Sequence, residues 1–260
     1  MQSAAFTHSF DVAELALYAF FLFFAGLVFY LRREDKREGY PLESDRSRMS
    51  PRVKVQGWPT IPKPKKYLLA HESEAHIFPR KERDLSGILA PAAGFPGAPM
   101  QPLGDPMQDG VGPASYAERM DVPDVTFDEQ LPKIVPLRVA NGYYLAEEDP
   151  DPRGWDVVTF DGVVAGKVVD VWIDRSETFV RLFEVEAAAN KRRVLVPSML
   201  VRIDEAGRRL TVKSVNAAQL AAAPATKNPD QITLREEDRI AGYFAGGHIY
   251  ATAQRLGPVL

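Results

Sequence analysis

From Leu15 to Leu31 the chain runs without a single charged side chain. The wider window, residues 12–31, holds only Glu14, near its outer edge. Twenty residues of α-helix rise roughly 30 Å, the thickness of a bilayer's hydrocarbon core. A helix buried in a soluble core shows a polar stripe at helical period, and this segment shows none. Tyr18 and Tyr30 stand toward its two ends, where amphipathic rings favour the membrane–water interface. Residues 12–31 therefore read as a transmembrane helix preceded by a short N-terminal stretch, residues 1–11.

Charge sets the expected orientation. No Lys or Arg precedes residue 32, whereas Arg32, Arg33, Lys36 and Arg37 follow the helix at once. The positive-inside rule then puts the N-terminus outside and everything after Leu31 in the cytoplasm. A cleaved secretory signal needs basic residues before the apolar stretch and small residues after it. Tyr30-Leu31-Arg32-Arg33 has the opposite character, so the segment is expected to stay attached. Arg32, Arg33, Lys36, Arg37 and Tyr40 are the membrane-interface candidates, either binding an anionic lipid or simply obeying the charge rule.

Fifteen of the 21 prolines fall between Pro41 and Pro136, which excludes long regular elements there. Proline lacks a backbone donor and biases its predecessor away from the helical region. Gly94-Phe95-Pro96-Gly97-Ala98-Pro99 and Gly104-Asp105-Pro106 are turn chemistry. Tyr67-Leu68-Leu69 is a candidate for a short isolated strand. Such composition suits a flexible tether, yet Trp58, Tyr67, Phe78, Phe95 and Tyr116 recur along it. Residues 32–132 are expected to be an extended segment lying on partner proteins, with the tether as the alternative.

From about Lys133 the pattern changes to short strands. Asp161-Gly162 between two apolar runs signals a hairpin. Val169, Val171 and Ile173 alternate with Asp170, Trp172 and Asp174, as on a half-buried strand. Further strands are expected at Phe179 to Glu186, Arg193 to Val196, Val201 to Ile203 and Leu210 to Val215, with turns at Arg175-Ser176-Glu177 and Glu205-Ala206-Gly207. Strands at this spacing indicate a small antiparallel barrel or sandwich over residues 133–260. Thr233-Leu234-Arg235-Glu236 fits a capping box opening one C-terminal helix with Ile240, Tyr243 and Phe244 on its apolar face. Gly246-Gly247 should end or weaken that helix.

Catalytic signatures do not emerge. The absence of cysteine excludes disulfides, thiol nucleophiles and cysteine-ligated metal. The net charge of -3 gives no basis for nucleic-acid binding. No Walker-type loop, GxGxxG, HExxH or GxSxG is present. His8, His71 and His76 read as solvated or hydrogen-bonded, and His248 suits a helix C-terminus. Lys191-Arg192-Arg193 reads as a solvated hairpin tip, or else as a lipid or protein contact.

Carboxylates remain. Asp121, Asp124, Asp128 and Glu129 cluster before the β domain, and Asp170, Asp174, Glu177, Glu184 and Glu186 lie on or between two strands. Ordinarily such groups are solvated; grouped and buried, they can hold raised pKa values and pass protons.

Four blocks, in order and spread over nearly the whole length, resemble the H subunit of purple-bacterial photosynthetic reaction centres, a PRC-barrel family. They are Tyr30-Leu31-Arg32-Arg33-Glu34-Asp35-Lys36-Arg37-Glu38-Gly39-Tyr40-Pro41-Leu42, and Gly104-Asp105-Pro106-Met107 with Asp109-Gly110-Val111-Gly112-Pro113-Ala114-Ser115. The others are Ala165-Gly166-Lys167-Val168-Val169-Asp170-Val171-Trp172-Ile173-Asp174, and Glu236-Glu237-Asp238 with Gly242-Tyr243-Phe244-Ala245-Gly246-Gly247. The resemblance implies one N-terminal transmembrane helix with a periplasmic N-terminus, a surface segment, and a mainly-β cytoplasmic PRC-type antiparallel barrel with one C-terminal helix. It implies L and M partner subunits that hold bacteriochlorophyll, bacteriopheophytin, quinones, non-haem iron and carotenoid, none of them ligated by this chain. Light-harvesting antenna polypeptides, membrane lipids and, as a further candidate, a tetrahaem cytochrome subunit are the other implied partners. The implied setting is the bacterial inner, intracytoplasmic membrane.

By the same resemblance the chain stabilises the L–M core, shields the quinones and helps conduct protons to the secondary quinone, without being an enzyme. Asp174 and Glu177 are similar to the family's acidic pair, Arg181 to its basic partner, and Asp121 and Asp124 to acidic positions at the entrance. Relatives carry histidines just before the lysine matching Lys133. Here Asp128-Glu129-Gln130-Leu131-Pro132 stands instead, which leaves carboxylates as candidates for proton entry and puts zinc inhibition at that point in doubt. A membrane-tethered PRC-barrel docking module without pigment partners is the rival reading. An RNA-associated role is opposed by the membrane span and the acidic pI.

Overall fold

Asp11 opens the first helix, α1 (Val12–Glu34), by accepting a bond from the Ala13 amide at 3.2 Å. Every residue of its apolar stretch is exposed, and it is long and apolar enough to cross a membrane. Glu14, the lone charge, accepts a 2.6 Å bond from the Tyr18 hydroxyl one turn on. The helix continues past Leu31 because Arg32 and Arg33 place cations in its last turn, where the backbone dipole is negative.

The computed structural model describes residues 5–7, 10–43, 54–68, 75–78, 83–95 and 98–256. Two units result, Met1–Glu82 with Pro91–Pro99, and Arg83–Ala90 with Met100–Leu260. In the first, the expected strand around Tyr67-Leu68 forms as Lys65–Leu68, paired antiparallel with Ala75–Phe78. Leu69, His8 and His71 lie outside the described residues, as does the side chain of His76.

The second unit is built on a seven-stranded sheet, β1 (Ile134–Pro136), β2 (Asp156–Thr159), β3 (Val164–Asp174), β4 (Phe179–Ala187), β5 (Arg193–Pro197), β6 (Val201–Asp204) and β7 (Arg209–Val212). The strand order is β5-β4-β3-β2-β7-β6, with β1 also pairing β3. All pairs are antiparallel except β2 with β7, which run parallel. The expected Asp161-Gly162 hairpin joins β2 to β3, with Gly162 at φ 77° and Thr159 Oγ1 bonded to Asp161 Oδ1 at 2.5 Å. β7 stops at Val212 rather than Val215, and Val215 enters the core from a loop.

Alternation on β3 does not survive into its second half. Asp170 through Asp174 are all buried, because β1 and β4 flank the strand and the surrounding chain covers both faces. Both aspartates, expected on the solvent side, therefore sit inside.

After the short helices α2 (Pro106–Asp109) and α3 (Ala217–Ala222), the closing helix α4 (Leu234–Tyr250) starts with the expected capping box: Thr233 accepts from the Glu236 amide and Glu236 accepts from the Thr233 amide. Ile240, Tyr243 and Phe244 pack into the core with Val157, Val171, Trp172, Phe183 and Leu210. Gly246-Gly247 does not end the helix. These glycines instead permit close approach: a Cβ at Gly246 would lie 2.4 Å from that of Ala114, and one at Gly247 would lie 2.4 Å from the Ser214 carbonyl oxygen. Tertiary packing outweighs the entropic cost of glycine, about 1 kcal/mol each.

Candidate functional site

Asp174 ends β3, and its side chain closes the turn into β4. Its Oδ1 accepts from the amides of Ser176 (2.9 Å) and Glu177 (3.1 Å), the local bonding that makes aspartate a turn residue. The same side chain is 0% exposed, and among the described residues its Oδ2 has no hydrogen-bond partner. That oxygen faces two cations, Lys133 Nζ at 3.7 Å and Arg181 Nη2 at 3.6 Å.

Register explains the meeting. Lys133 immediately precedes β1, whose Ile134 pairs with Asp174, while Arg181 stands on β4 across the hairpin. Outward from this centre the charges alternate. Lys133 Nζ lies 3.9 Å from Asp124 Oδ2, and Arg181 Nε lies 3.9 Å from Glu237 Oε1 in the first turn of α4. Arg181 Nε is itself buried and has no hydrogen-bond partner among the described residues, and its guanidinium stands over the Phe179 ring at 5.0 Å. The order is Asp124, Lys133, Asp174, Arg181, Glu237, with gaps of 3.6 to 3.9 Å, longer than direct hydrogen bonds. Burial pushes the Glu237 carboxyl above the usual glutamate range; Arg181 and Arg119 pull it back only in part, and Asp238 and Asp124 add to the rise.

Other sequence candidates go elsewhere. Glu177 is exposed on the turn, linked to Asp174 through its amide. Asp121 binds Lys227 and accepts a 2.8 Å bond from Thr233 Oγ1, bracing the start of α4, and these two partners lower its pKa. Asp128 and Glu129 are exposed on the turn between Val125 and Pro132. His248 is exposed in the last turn of α4. At the basic run all three residues are exposed; Arg192 donates to the Ala221 carbonyl, Arg193 to Glu184 Oε1, and Lys191 Nζ lies 3.6 Å from Glu186 Oε1.

Two of the strand carboxylates singled out in the sequence, Asp170 and Glu184, form a second charged cluster with Arg138, which the sequence does not point to. Asp170 and Glu184 stand directly opposite on β3 and β4, an unfavourable pairing of like charges. Arg138 resolves it, with Nη1 at 3.1 Å from Asp170 Oδ2 and 2.5 Å from Glu184 Oε2, and Nη2 at 3.0 Å from Asp230 Oδ1. Trp172 Nε1 and Arg193 also donate to Glu184. Burial alone would raise the Glu184 pKa, but the bonds from Arg138, Trp172 and Arg193 outweigh it and hold the group below its usual range. Counting out from the 175–178 turn would set Asp170 opposite Phe183. An irregularity in the pairing between Trp172 and Ile173 shifts the register by one and brings Glu184 there, and nothing local points to Arg138.

At the end of α1 the interface candidates divide. Arg32, Arg33 and Tyr40 are exposed. Lys36 is buried, its ammonium donating to the carbonyls of Gln56 and Pro59 at 2.6 Å each. Arg37 binds Glu34 and the Lys63 carbonyl, and Lys65 also reaches Glu34.

Comparison with known families agrees with this architecture. Residues 4–139, over half of the chain, match the family described as photosynthetic reaction centre, H-chain N-terminal region. Residues 146–219, which include β2 through β7, match the PRC-barrel domain. With α1, the mainly-β domain and the closing helix in that order, the chain belongs to the photosynthetic reaction centre H-chain family.

Proposed function

We propose that this H chain is non-catalytic, stabilises the L–M core, shields the quinone sites from water, and passes protons toward the secondary quinone. The proton role rests on one observation, the alternating array centred on buried Asp174. Gaps of 3.6 to 3.9 Å are too long for direct transfer, and in this reading water beside these groups carries the proton in hops at hydrogen-bond distance. Asp174 Oδ2 and Arg181 Nε have bonding capacity free for such water. Glu237, which holds its proton more firmly than an ordinary glutamate, is suited to carry one. In this reading Glu177 receives protons at the exposed turn, Arg181 tunes the field, and Asp124, Asp128 and Glu129 serve the surface. Asp121 acts as a brace.

L and M carry the bacteriochlorophyll, bacteriopheophytin, quinones, non-haem iron and carotenoid in this reading. Antenna polypeptides surround α1, and a tetrahaem cytochrome subunit is a further candidate member of the complex. The exposed Arg32 and Arg33 support a periplasmic N-terminus and a cytoplasmic β domain in the inner membrane. Residues 32–132 form an extended segment that lies on the partners beyond its first turns next to α1.

Flash-induced transfer of the second electron to the secondary quinone tests the proton role in the intact complex. Asp174→Asn and Glu177→Gln should each slow it, increasingly as pH rises. An unchanged rate across pH removes that residue from the path. The β unit has its own core, which favours the docking module as a second reading; such a module would be stable without L and M.

A further inference from the structure

The chain leaving α1 turns back on itself. Gly57 adopts φ +63°, and this left-handed residue lets the carbonyls of Gln56 and Pro59 converge on the Lys36 ammonium. The Tyr40 ring lies 5.2 Å from the same ammonium. Arg37 to Lys63 and Lys65 to Glu34 fasten the returning strand a few residues further on. Between these clamps Trp58 is held against Phe29, ring centroids 5.2 Å apart, while remaining 80% exposed.

Phe29 lies on α1 four residues before Arg33, so at 1.5 Å per residue Trp58 sits roughly 6 Å inside the level of the helix-end cations. An exposed indole at that depth, beside a membrane-crossing helix and beneath exposed Arg32 and Arg33, matches the head-group boundary. We propose that the Gln56–Pro59 turn is a second membrane contact, with Trp58 lodged in the bilayer interface and Lys36 as the internal pin that sets its depth. Lys36 is then a positioning residue for the loop, while Arg32 and Arg33 face the lipid phosphates. The proposal rests on α1 being a membrane span.

The other two tryptophans, Trp155 and Trp172, are buried in the β unit, which isolates Trp58 spectroscopically. The full chain is placed in lipid nanodiscs whose acyl chains are brominated near the head group, and tryptophan emission is compared with unbrominated discs and with aqueous iodide. Bromine should quench one component that iodide spares, and Trp58→Phe should abolish that component. Lys36→Met should shift it from bromine to iodide quenching without altering the buried pair. A Trp58 component quenched by iodide alone, or by neither agent, overturns the proposal. A chain that never enters the discs overturns the reading of α1 itself, and this proposal with it.

Discussion

Replacing Arg138 by methionine tests whether the Asp170–Glu184 cluster holds the sheet together. The side chains of Asp170 and Glu184 are 5% and 4% exposed and directly opposite each other, and Arg138 is the group that touches both. Removing one partner of a buried ion pair costs about 3–5 kcal/mol, because the remaining charge is left without compensation. Arg193 still reaches Glu184 at 2.8 Å, so the low end, about 3 kcal/mol, is expected. For a domain of this size that is a fall in Tm of roughly 6–12 °C. The assay is thermal unfolding of the full chain in detergent, followed by tryptophan emission, to which Trp172, bonded to Glu184, contributes. The pH dependence has a definite sign. In the native chain the Glu184 pKa is depressed, so its contribution is complete above the unfolded value and is lost as pH falls through the folded one. In Arg138→Met, burial of Glu184 is opposed by fewer bonds, that carboxyl takes up a proton more readily, and the deficit narrows on acidification. Adding Asp170→Asn and Glu184→Gln to the variant should recover most of the loss, since this cluster then holds no buried carboxylate. A deficit under about 1 kcal/mol, or one independent of pH, refutes the reasoning.

Three further outcomes follow from particular contacts. Gly246→Ala would ordinarily stabilise a helix by about 1 kcal/mol, but against Ala114 it should destabilise by about 1–3 kcal/mol, seen as a lower Tm. Thr233→Ala, which removes the cap of α4 and the bond to Asp121, should cost about 1–2 kcal/mol, measured by the same melt. Glu237 has a raised folded pKa, so its ionisation costs stability as pH climbs from the unfolded value through the folded one. Glu237→Gln should therefore raise Tm at alkaline pH and leave it unchanged in acid, and a lower Tm at alkaline pH would contradict the burial of that carboxyl.

The features legible in the sequence are those governed by local rules. The uncharged run of α1, the Asp161-Gly162 turn and the Thr233–Glu236 box each needed only neighbouring residues. The burial of Asp170 and Asp174 was not legible, because it depends on β1 reaching β3 from outside the hairpin. The parallel pairing of β2 with β7 joins segments separated by most of the sheet, beyond the reach of periodicity. Asp174 and Arg181 were found through resemblance, and hairpin geometry brings them together. Lys133 and Glu237 complete the array from other elements, and a single sequence shows no sign of that convergence. Lys36 looked like a surface cation by the charge rule, yet a glycine turn twenty residues later encloses it.

The central claim is tested most directly by the absorption spectrum of the protein purified gently from its native membranes through an affinity tag. Near-infrared bands of bacteriochlorophyll and bacteriopheophytin, with two further hydrophobic subunits on a gel, are the predicted result. A colourless protein from pigmented, phototrophically grown membranes would contradict the account and favour a docking module without pigment partners.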